Sequence, residues 1–96
     1  MFARISTYQT SPNTLRNAPT EEIITRVLQL PGCKGIYYLN SKESDKALSI
    51  TLWDTEESMV ATRQDATRIR EETSEADKTH IVSVEEFEVT ANSLNT

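Results

Sequence analysis

The stretch ALSITLWDTEE, residues 47–57, contains a strand followed directly by the start of a helix. Over 47–53, large aliphatic side chains alternate with small or polar ones, which is the two-residue period of a strand. Residues 54–57 then supply an N-cap and acidic first-turn side chains, in an Asp-x-x-Glu spacing related to the capping box. The sequence therefore predicts a strand over 47–53 and a helix that opens here and continues to about Thr73.

Three further elements precede this stretch. Residues 2–9 alternate in character and predict a first strand. A helix is expected from about Thr20, where acidic residues suit its positive end, to Pro31-Gly32, which removes a donor and permits a left-handed cap. Residues 33–40 follow as a second strand, and the polar run after them is typical of a hairpin loop.

The last strand is predicted over 81–89, with a change of phase at Glu85 and Glu86 that a β-bulge would produce. The order strand, helix, strand, strand, helix, strand indicates one α+β domain of ferredoxin-like βαββαβ plan over residues 1–90. Its antiparallel four-stranded sheet would carry both helices on one face. Residues 91–96 are expected to form a flexible tail.

The two faces of the predicted sheet differ in character. We expect Leu48, Ile50 and Leu52 to face the helices as ordinary core. The opposite face would carry Phe2, Arg4, Ser6, Tyr8, Ser49, Thr51 and Trp53, with one of Tyr37 or Tyr38. Because several aromatic rings on an open sheet would form a large apolar patch, we expect a second copy of the chain to cover it by two-fold symmetry. The sequence thus predicts a homodimer.

The second helix offers little apolar surface. The apolar positions are Met59, Val60, Ala66 and Ile69. Its charged side chains are interpreted as a solvated face with favourable three- and four-residue pairs. These are Arg63, Asp65, Arg68, Arg70, Glu71 and Glu72.

Composition restricts the partners and the site chemistry. The formal net charge is −5, so neither nucleic acid nor a membrane is an expected partner. No segment is apolar over a membrane-spanning length, and a cytoplasmic location is expected. Cys33 and His80 are the sole residues of their types, which excludes an internal disulfide and a cysteine-based metal cluster. Cys33 is interpreted as a small buried apolar residue, and no catalytic residue or metal site is assigned.

Two segments carry a family resemblance. The pattern Leu30-Pro31-Gly32-Cys33-Lys34-Gly35 precedes the second strand, and residues 49–57, SITLWDTEE, cross the third strand into the second helix. Together they resemble the antibiotic biosynthesis monooxygenase family of dimeric α+β barrels, over about residues 1–90. That family includes cofactor-free oxygenases of aromatic and quinol-like substrates, haem-degrading enzymes and domains without demonstrated chemistry.

The resemblance also bears on cofactors. The haem-degrading branch has an asparagine where this chain has Ser6, a tryptophan at Thr62 and a histidine near Glu72, so haem degradation is disfavoured and no cofactor is expected. The branch that acts on polycyclic phenols uses an asparagine, a tryptophan and a tyrosine. Of these, Trp53 alone has a candidate match.

Cofactor-free oxygenation needs an electron-rich deprotonated substrate, a group that holds the anion and a cavity that excludes water. Arg4 could hold the anion, and Trp53 could stack on an aromatic ring. Tyr8 or Tyr37 could donate to a substrate oxygen, and Ser6 or Thr51 could orient it. The predicted substrate-binding residues are therefore Arg4, Ser6, Tyr8, Tyr37, Thr51 and Trp53.

The leading functional hypothesis is a dimeric barrel that binds a small molecule. Its reaction would be the cofactor-independent monooxygenation of a hydroxylated aromatic or quinol-like compound. The alternative is a non-catalytic dimeric barrel domain with a structural or ligand-sensing role.

Overall fold

The computed structural model describes residues 1–12 and 20–94. The predicted element order is confirmed, except that the second helix is divided in two. The elements are β1 (Phe2–Gln9), α1 (Glu21–Leu28), β2 (Cys33–Asn40), β3 (Lys46–Trp53), α2 (Glu56–Ala61), α3 (Arg63–Asp77) and β4 (His80–Glu88). The predicted tail is described as far as Leu94, and over that part it forms no helix or strand. Its last two residues lie outside the described ranges.

The sheet has the strand order β2-β3-β1-β4, with every neighbouring pair antiparallel. Side chains of α1 and α3 line one cavity together with side chains of the sheet, so both helices lie on the same face. The α+β class and the ferredoxin-like antiparallel sheet are confirmed. No helix within the described ranges is both long and apolar enough to cross a membrane.

The second helix divides at Thr62. The Thr62 hydroxyl donates to the main-chain carbonyls of Ser58 at 2.8 Å and Met59 at 3.2 Å. Nη2 of Arg4 donates to the same Met59 carbonyl. Side chains that enter a helical hydrogen-bond ladder are a common cause of kinks, so the division follows from these contacts.

The helix ends at Asp77, one turn later than the predicted end at Thr73. Lys78 adopts the left-handed conformation with φ 59°, and the Thr79 amide donates back to the Ser74 carbonyl at 3.0 Å. This cap closes the last helical turn. We had predicted residues 74–78 to be a connection because of their polar composition.

The bulge in β4 is also displaced from its predicted position. The register against β1 skips Val82, whereas we predicted the bulge at Glu85 and Glu86. Glu86 stays in phase and pairs with Arg4 across the strands. The two adjacent glutamates therefore occupy opposite faces, as regular alternation requires.

The two faces of the sheet are the reverse of those predicted. The face under the helices carries the polar set, including Arg4, Ser6 and Thr51, while Leu48 and Ile50 point away. Alternation separates two faces but does not show which one the helices cover. The second helix suits the polar face because most of its own buried side chains are polar. These are Thr62, Arg70, Thr73, Ser74 and Asp77.

The opposite face, which we call the outer face, is mostly apolar. Its cross-strand rows are Phe87-Ala3-Leu52-Gly35, Glu85-Ile5-Ile50-Tyr37 and Ser83-Thr7-Leu48-Leu39. Tyr37, Leu39 and Phe87 are exposed. All three described helices lie on the other side of the sheet, so the described part of the chain leaves the outer face open.

Candidate functional site

A cavity of about 50 Å³ lies between the polar sheet face and the helices α1 and α3. The helices contribute mainly apolar side chains, such as Val27 and Ile69, and the sheet contributes hydroxyl groups, rings and a guanidinium. A buried water needs roughly 10–15 Å³, so the cavity has room for a few waters beside polar partners. Mixed lining of this kind is typical of small-molecule sites.

Five of the six predicted binding residues meet in this cavity. Arg4, Ser6, Tyr8, Thr51 and Trp53 all line it. The alternation of side chains along the strands correctly placed these five residues on one face of the sheet. That face was wrongly predicted to lie away from the helices.

Tyr37 does not lie with the other five predicted binding residues. It lies on the outer face and is 53% exposed. Its neighbour Tyr38 points the opposite way and lines the cavity. The sequence did not decide which of the two tyrosines shares a sheet face with Arg4 and Trp53, and the structure shows that it is Tyr38.

Arg4 is the most buried charged side chain of the cavity, with 3% exposure. Its Nε donates to Glu86 at 3.2 Å, its Nη2 donates to the Met59 carbonyl, and its Cζ lies 5.0 Å from the centroid of the Trp53 ring. Its Nη1 is buried without a hydrogen-bond partner among the described residues. Burial lowers the pKa of Arg4, while the hydrogen bond and charge of Glu86 act in the opposite direction.

Glu86 is shared between two arginines. Arg63 donates to both of its carboxylate oxygens, from Nε at 3.1 Å to each and from Nη2 at 2.5 Å. The hydrogen bond from Arg63, followed by that from Arg4, holds the pKa of Glu86 below its usual value. Glu86 is therefore ionised at neutral pH and is already occupied by two cations.

Arg70 is the functional candidate that the sequence analysis missed. The predicted solvated face was wrong at this position, because Arg70 is 9% exposed and lines the cavity. Its Nε donates to Ser6 Oγ at 2.8 Å and its Nη1 donates to Thr67 Oγ1 at 3.3 Å. Within the described ranges no carboxylate forms a salt bridge with it. Burial lowers its pKa.

Helical periodicity could have placed Arg70 in the cavity. Position 70 lies four residues after Ala66 and three before Thr73, and both of these also line the cavity. The charge of the side chain led us to assign it to solvent, although its position in the helix assigns it to the sheet side.

Hydroxyl groups link the cavity side chains of β1 and β3. The Tyr8 hydroxyl and Ser49 Oγ lie 3.2 Å apart. Trp53 Nε1 donates to Thr51 Oγ1 at 2.9 Å, and Thr51 Oγ1 donates to the Arg4 carbonyl at 3.5 Å. The polar end of Trp53 is thus satisfied, and its ring is held against the Arg4 guanidinium.

Tyr38 is held neutral in this setting. Its ring centroid lies 6.1 Å from that of Tyr8. Burial raises its pKa to about 12, and Tyr8 and Asp77 add to this rise. Tyr38 therefore keeps its phenolic proton at neutral pH. Asp77 is itself buried, its Oδ2 has no hydrogen-bond partner among the described residues, and burial raises its pKa.

Over residues 1–12 and 20–94, no group of three or more histidine, cysteine or acidic side chains is placed to hold a metal ion. Cys33, which we predicted to be buried, is of intermediate exposure, with Sγ 3.7 Å from the Gly35 carbonyl.

Comparison with known proteins identifies the fold. No protein-family model and no curated protein matches the chain. A solved structure named as a “putative antibiotic biosynthesis monooxygenase” from Deinococcus radiodurans matches 100% of this chain and 98% of its own, with a TM-score of 0.69 and 13% identity. This chain has the fold of that protein. A second structure with the same description, from Chloroflexus aurantiacus, matches 98% of each chain with a TM-score of 0.53 and 14% identity.

The antibiotic biosynthesis monooxygenase fold is the one implied by the resemblance of residues 30–35 and 49–57 to that family. The two structures therefore confirm that expectation at the level of the fold. At identities of 13 and 14%, the likeness concerns the course of the chain, and the chemistry must be argued from the cavity.

Proposed function

We propose that the chain binds a small hydroxylated aromatic compound, as its phenolate, in the cavity between the sheet and the helices. The supporting observation is a surplus of buried positive charge. Arg4 has a buried nitrogen without an acceptor, and Arg70 has no carboxylate in salt-bridge contact within the described ranges. Burying a charge without a counter-ion is costly, and a bound anion would offset that cost.

The rest of the lining favours an aromatic anion over a fully polar one. Trp53 and Tyr38 present rings, and Ile36 and Val27 add aliphatic surface. The present cavity is smaller than a substituted benzene ring, so binding requires side chains to move. The side chains of α1 that border the cavity, and would have to move, are Ile23 and Val27.

The reaction that we propose for the bound phenolate is oxygenation by O₂ without a cofactor. A phenol with a free para position and O₂ give a para-quinone and water. One oxygen atom of O₂ becomes the second carbonyl, and the other leaves as water with the phenolic and the ring hydrogen. The two guanidinium groups would stabilise the phenolate, which is the electron-rich form that reacts. The likeness in fold to two structures described as monooxygenases supports this choice.

One observation favours the alternative, a ligand-binding domain without chemistry. No carboxylate or histidine lines the cavity within the described ranges, so a general base for the phenol is lacking there. Oxygenation then depends on the arginines alone to lower the pKa of the bound phenol.

Binding and reaction can be tested separately. Trp53 is the sole tryptophan and lies in the cavity, so its fluorescence should change saturably as hydroquinone is added without oxygen. Arg70→Met should weaken this binding at least roughly tenfold, because it removes a charge-assisted contact. Arg68→Met is the matched control, since Arg68 is an exposed arginine of the same helix outside the cavity.

The reaction is followed as oxygen uptake with resorcinol, a phenol whose para position is free, in the presence of a chelator. Hydroquinone serves for the binding measurement alone, because its para position already carries a hydroxyl group. Uptake that depends on Arg70 supports the oxygenase, whereas saturable binding without uptake supports the ligand-binding alternative. An unresponsive Trp53, or equal binding by the Arg70→Met and Arg68→Met variants, would contradict the proposed site.

We also propose that a second copy of the chain covers the outer face. Of the twelve positions in its three rows, Glu85 is the one charged residue. A face of this composition favours association with an identical face through a two-fold axis. Ile50→Lys should convert a dimer to monomer in sedimentation at micromolar concentration, whereas Leu94→Lys, an exposed site in the tail, should leave it unchanged. A folded wild-type monomer at that concentration would contradict the proposal.

A further inference from the structure

A second space adjoins the cavity on the side of β4. This space measures about 450 Å³ and opens between α3 and β4. We call it the outer groove, although it lies on the helix side of the sheet and not on the outer face. Arg4 and Arg70 line both the cavity and the outer groove. These two side chains therefore form the boundary between the cavity and the groove, where they can contact groups on either side.

The outer groove has an excess of positive charge. Its lining contains three arginines and two glutamates, namely Arg4, Arg63, Arg70, Glu71 and Glu86. Glu86 is held by two of these arginines, while Arg70 has no salt bridge within the described ranges. The sum of these formal charges is one positive charge in a protein whose net charge is −5. Such a local reversal of sign suits one negatively charged group.

We infer that the ligand is a hydroxylated aromatic carboxylate, with its ring and phenolate in the cavity and its carboxylate in the outer groove against Arg63 and Arg70. This inference rests on the proposed function and names the substrate class of the same site. Guanidinium groups favour a charged carboxylate over its neutral ester, because they supply charge-assisted hydrogen bonds.

The inference is tested with three ligands of one ring type. These are 2,5-dihydroxybenzoate, its uncharged methyl ester and hydroquinone, titrated without oxygen against Trp53 fluorescence. The carboxylate should bind at least roughly tenfold more tightly than its ester at low salt, because it gains a charge-assisted contact with arginine. Added salt should reduce this preference, since Arg63 is half exposed and screened.

Two matched variants locate the carboxylate. Arg63→Gln should remove most of the preference for the acid over the ester and change hydroquinone binding by much less, because Arg63 lines the outer groove and reaches the cavity only through the Glu86 that it shares with Arg4. Arg68→Gln removes the same charge from the same helix outside the groove and should keep the preference.

Equal affinity for acid and ester, or an equal preference in the Arg63→Gln and wild-type proteins, would overturn the inference while hydroquinone binding still supports the proposed function. Failure of all three ligands to bind would overturn both.

Discussion

Arg4 and Met59 connect the centre of the sheet to the helix break. Nη2 of Arg4, a residue of the central strand β1, donates to the main-chain carbonyl of Met59 in α2. Three residues later the chain leaves α2 and begins α3. The direction in which α3 crosses the sheet, and with it the position of Arg70, therefore depends on a side chain of the opposite layer.

Replacing Arg4 should reduce stability markedly. Arg4→Gln removes the contacts with Glu86, Met59 and the Trp53 ring, so the free energy of unfolding in urea should fall by about 2 kcal/mol. The comparison is Arg63→Gln, which removes an exposed partner of the same Glu86 and should cost clearly less. Losses of the same size in both variants would show that the buried contacts of Arg4 do not contribute.

Replacing Arg70 should not lower the free energy of unfolding as replacing Arg4 does. Its buried charge has no carboxylate partner within the described ranges, so Arg70→Met removes a desolvation cost along with the hydrogen bond to Ser6. We expect the free energy of unfolding to stay within about 1 kcal/mol of wild type or to rise, while ligand binding is lost. Urea denaturation measures this. A loss of several kcal/mol would mean that Arg70 serves stability and not a ligand.

Gly32 is required by both conformation and space. Its φ is +83°, and a Cβ at this position would lie 2.4 Å from the Ser58 side chain. Gly32→Ala should therefore lower the free energy of unfolding by roughly 2 kcal/mol or more. Gly35→Ala is the control, because the added Cβ would meet Leu52 at 4.0 Å, an ordinary contact. Thermal unfolding of both variants at one protein concentration decides whether the two glycines differ.

Tyr38 should make the protein sensitive to alkaline pH. Its pKa is about 12 in the folded chain and 10.0 when unperturbed, so the unfolded state loses this proton first. The stability associated with Tyr38 is complete below pH 10 and is lost as pH rises from 10 towards 12, by at most roughly 2 kcal/mol. Urea denaturation at several alkaline pH values should show a steeper decline for wild type than for Tyr38→Phe. Parallel declines would contradict the assignment.

The strands were predictable because each carries its own local signal. β1 and β2 have the predicted bounds, and β3 begins at Lys46, one residue before its predicted start. α1 begins next to Thr20, as expected, and the Thr20 hydroxyl caps it by accepting from the Ile23 amide. These features depend on neighbours within a few residues, which a sequence displays directly.

The assignment of the faces was not predictable from the strands alone. Leu48, Ile50 and Leu52 form the more apolar row of β3, and the usual expectation places such a row under the helices. The deciding signal was in the second helix, where Arg70 and Thr73 occupy the positions that face the sheet. A polar helix stripe matches a polar sheet face, so the two had to be considered together.

The site followed from the strands but not from the helix. Arg4, Ser6 and Trp53 meet because alternation and register fix their relative positions. Arg70 shares a helical stripe with Ala66 and Thr73, but its charge led us to assign it to solvent. The helix break at Thr62 involves a contact of residues 55 positions apart, which leaves no periodic trace in the sequence.

The position of β1 in the sheet affects how the chain must form. Phe2 pairs with Trp53 on one side and with Glu88 on the other, so β1 is synthesised long before β4 can occupy its second edge. Closing contacts over such separations is entropically slow. Fragments that lack β4 would carry the central strand with one edge uncovered, and nascent chains of that length are the species most exposed to edge-to-edge aggregation.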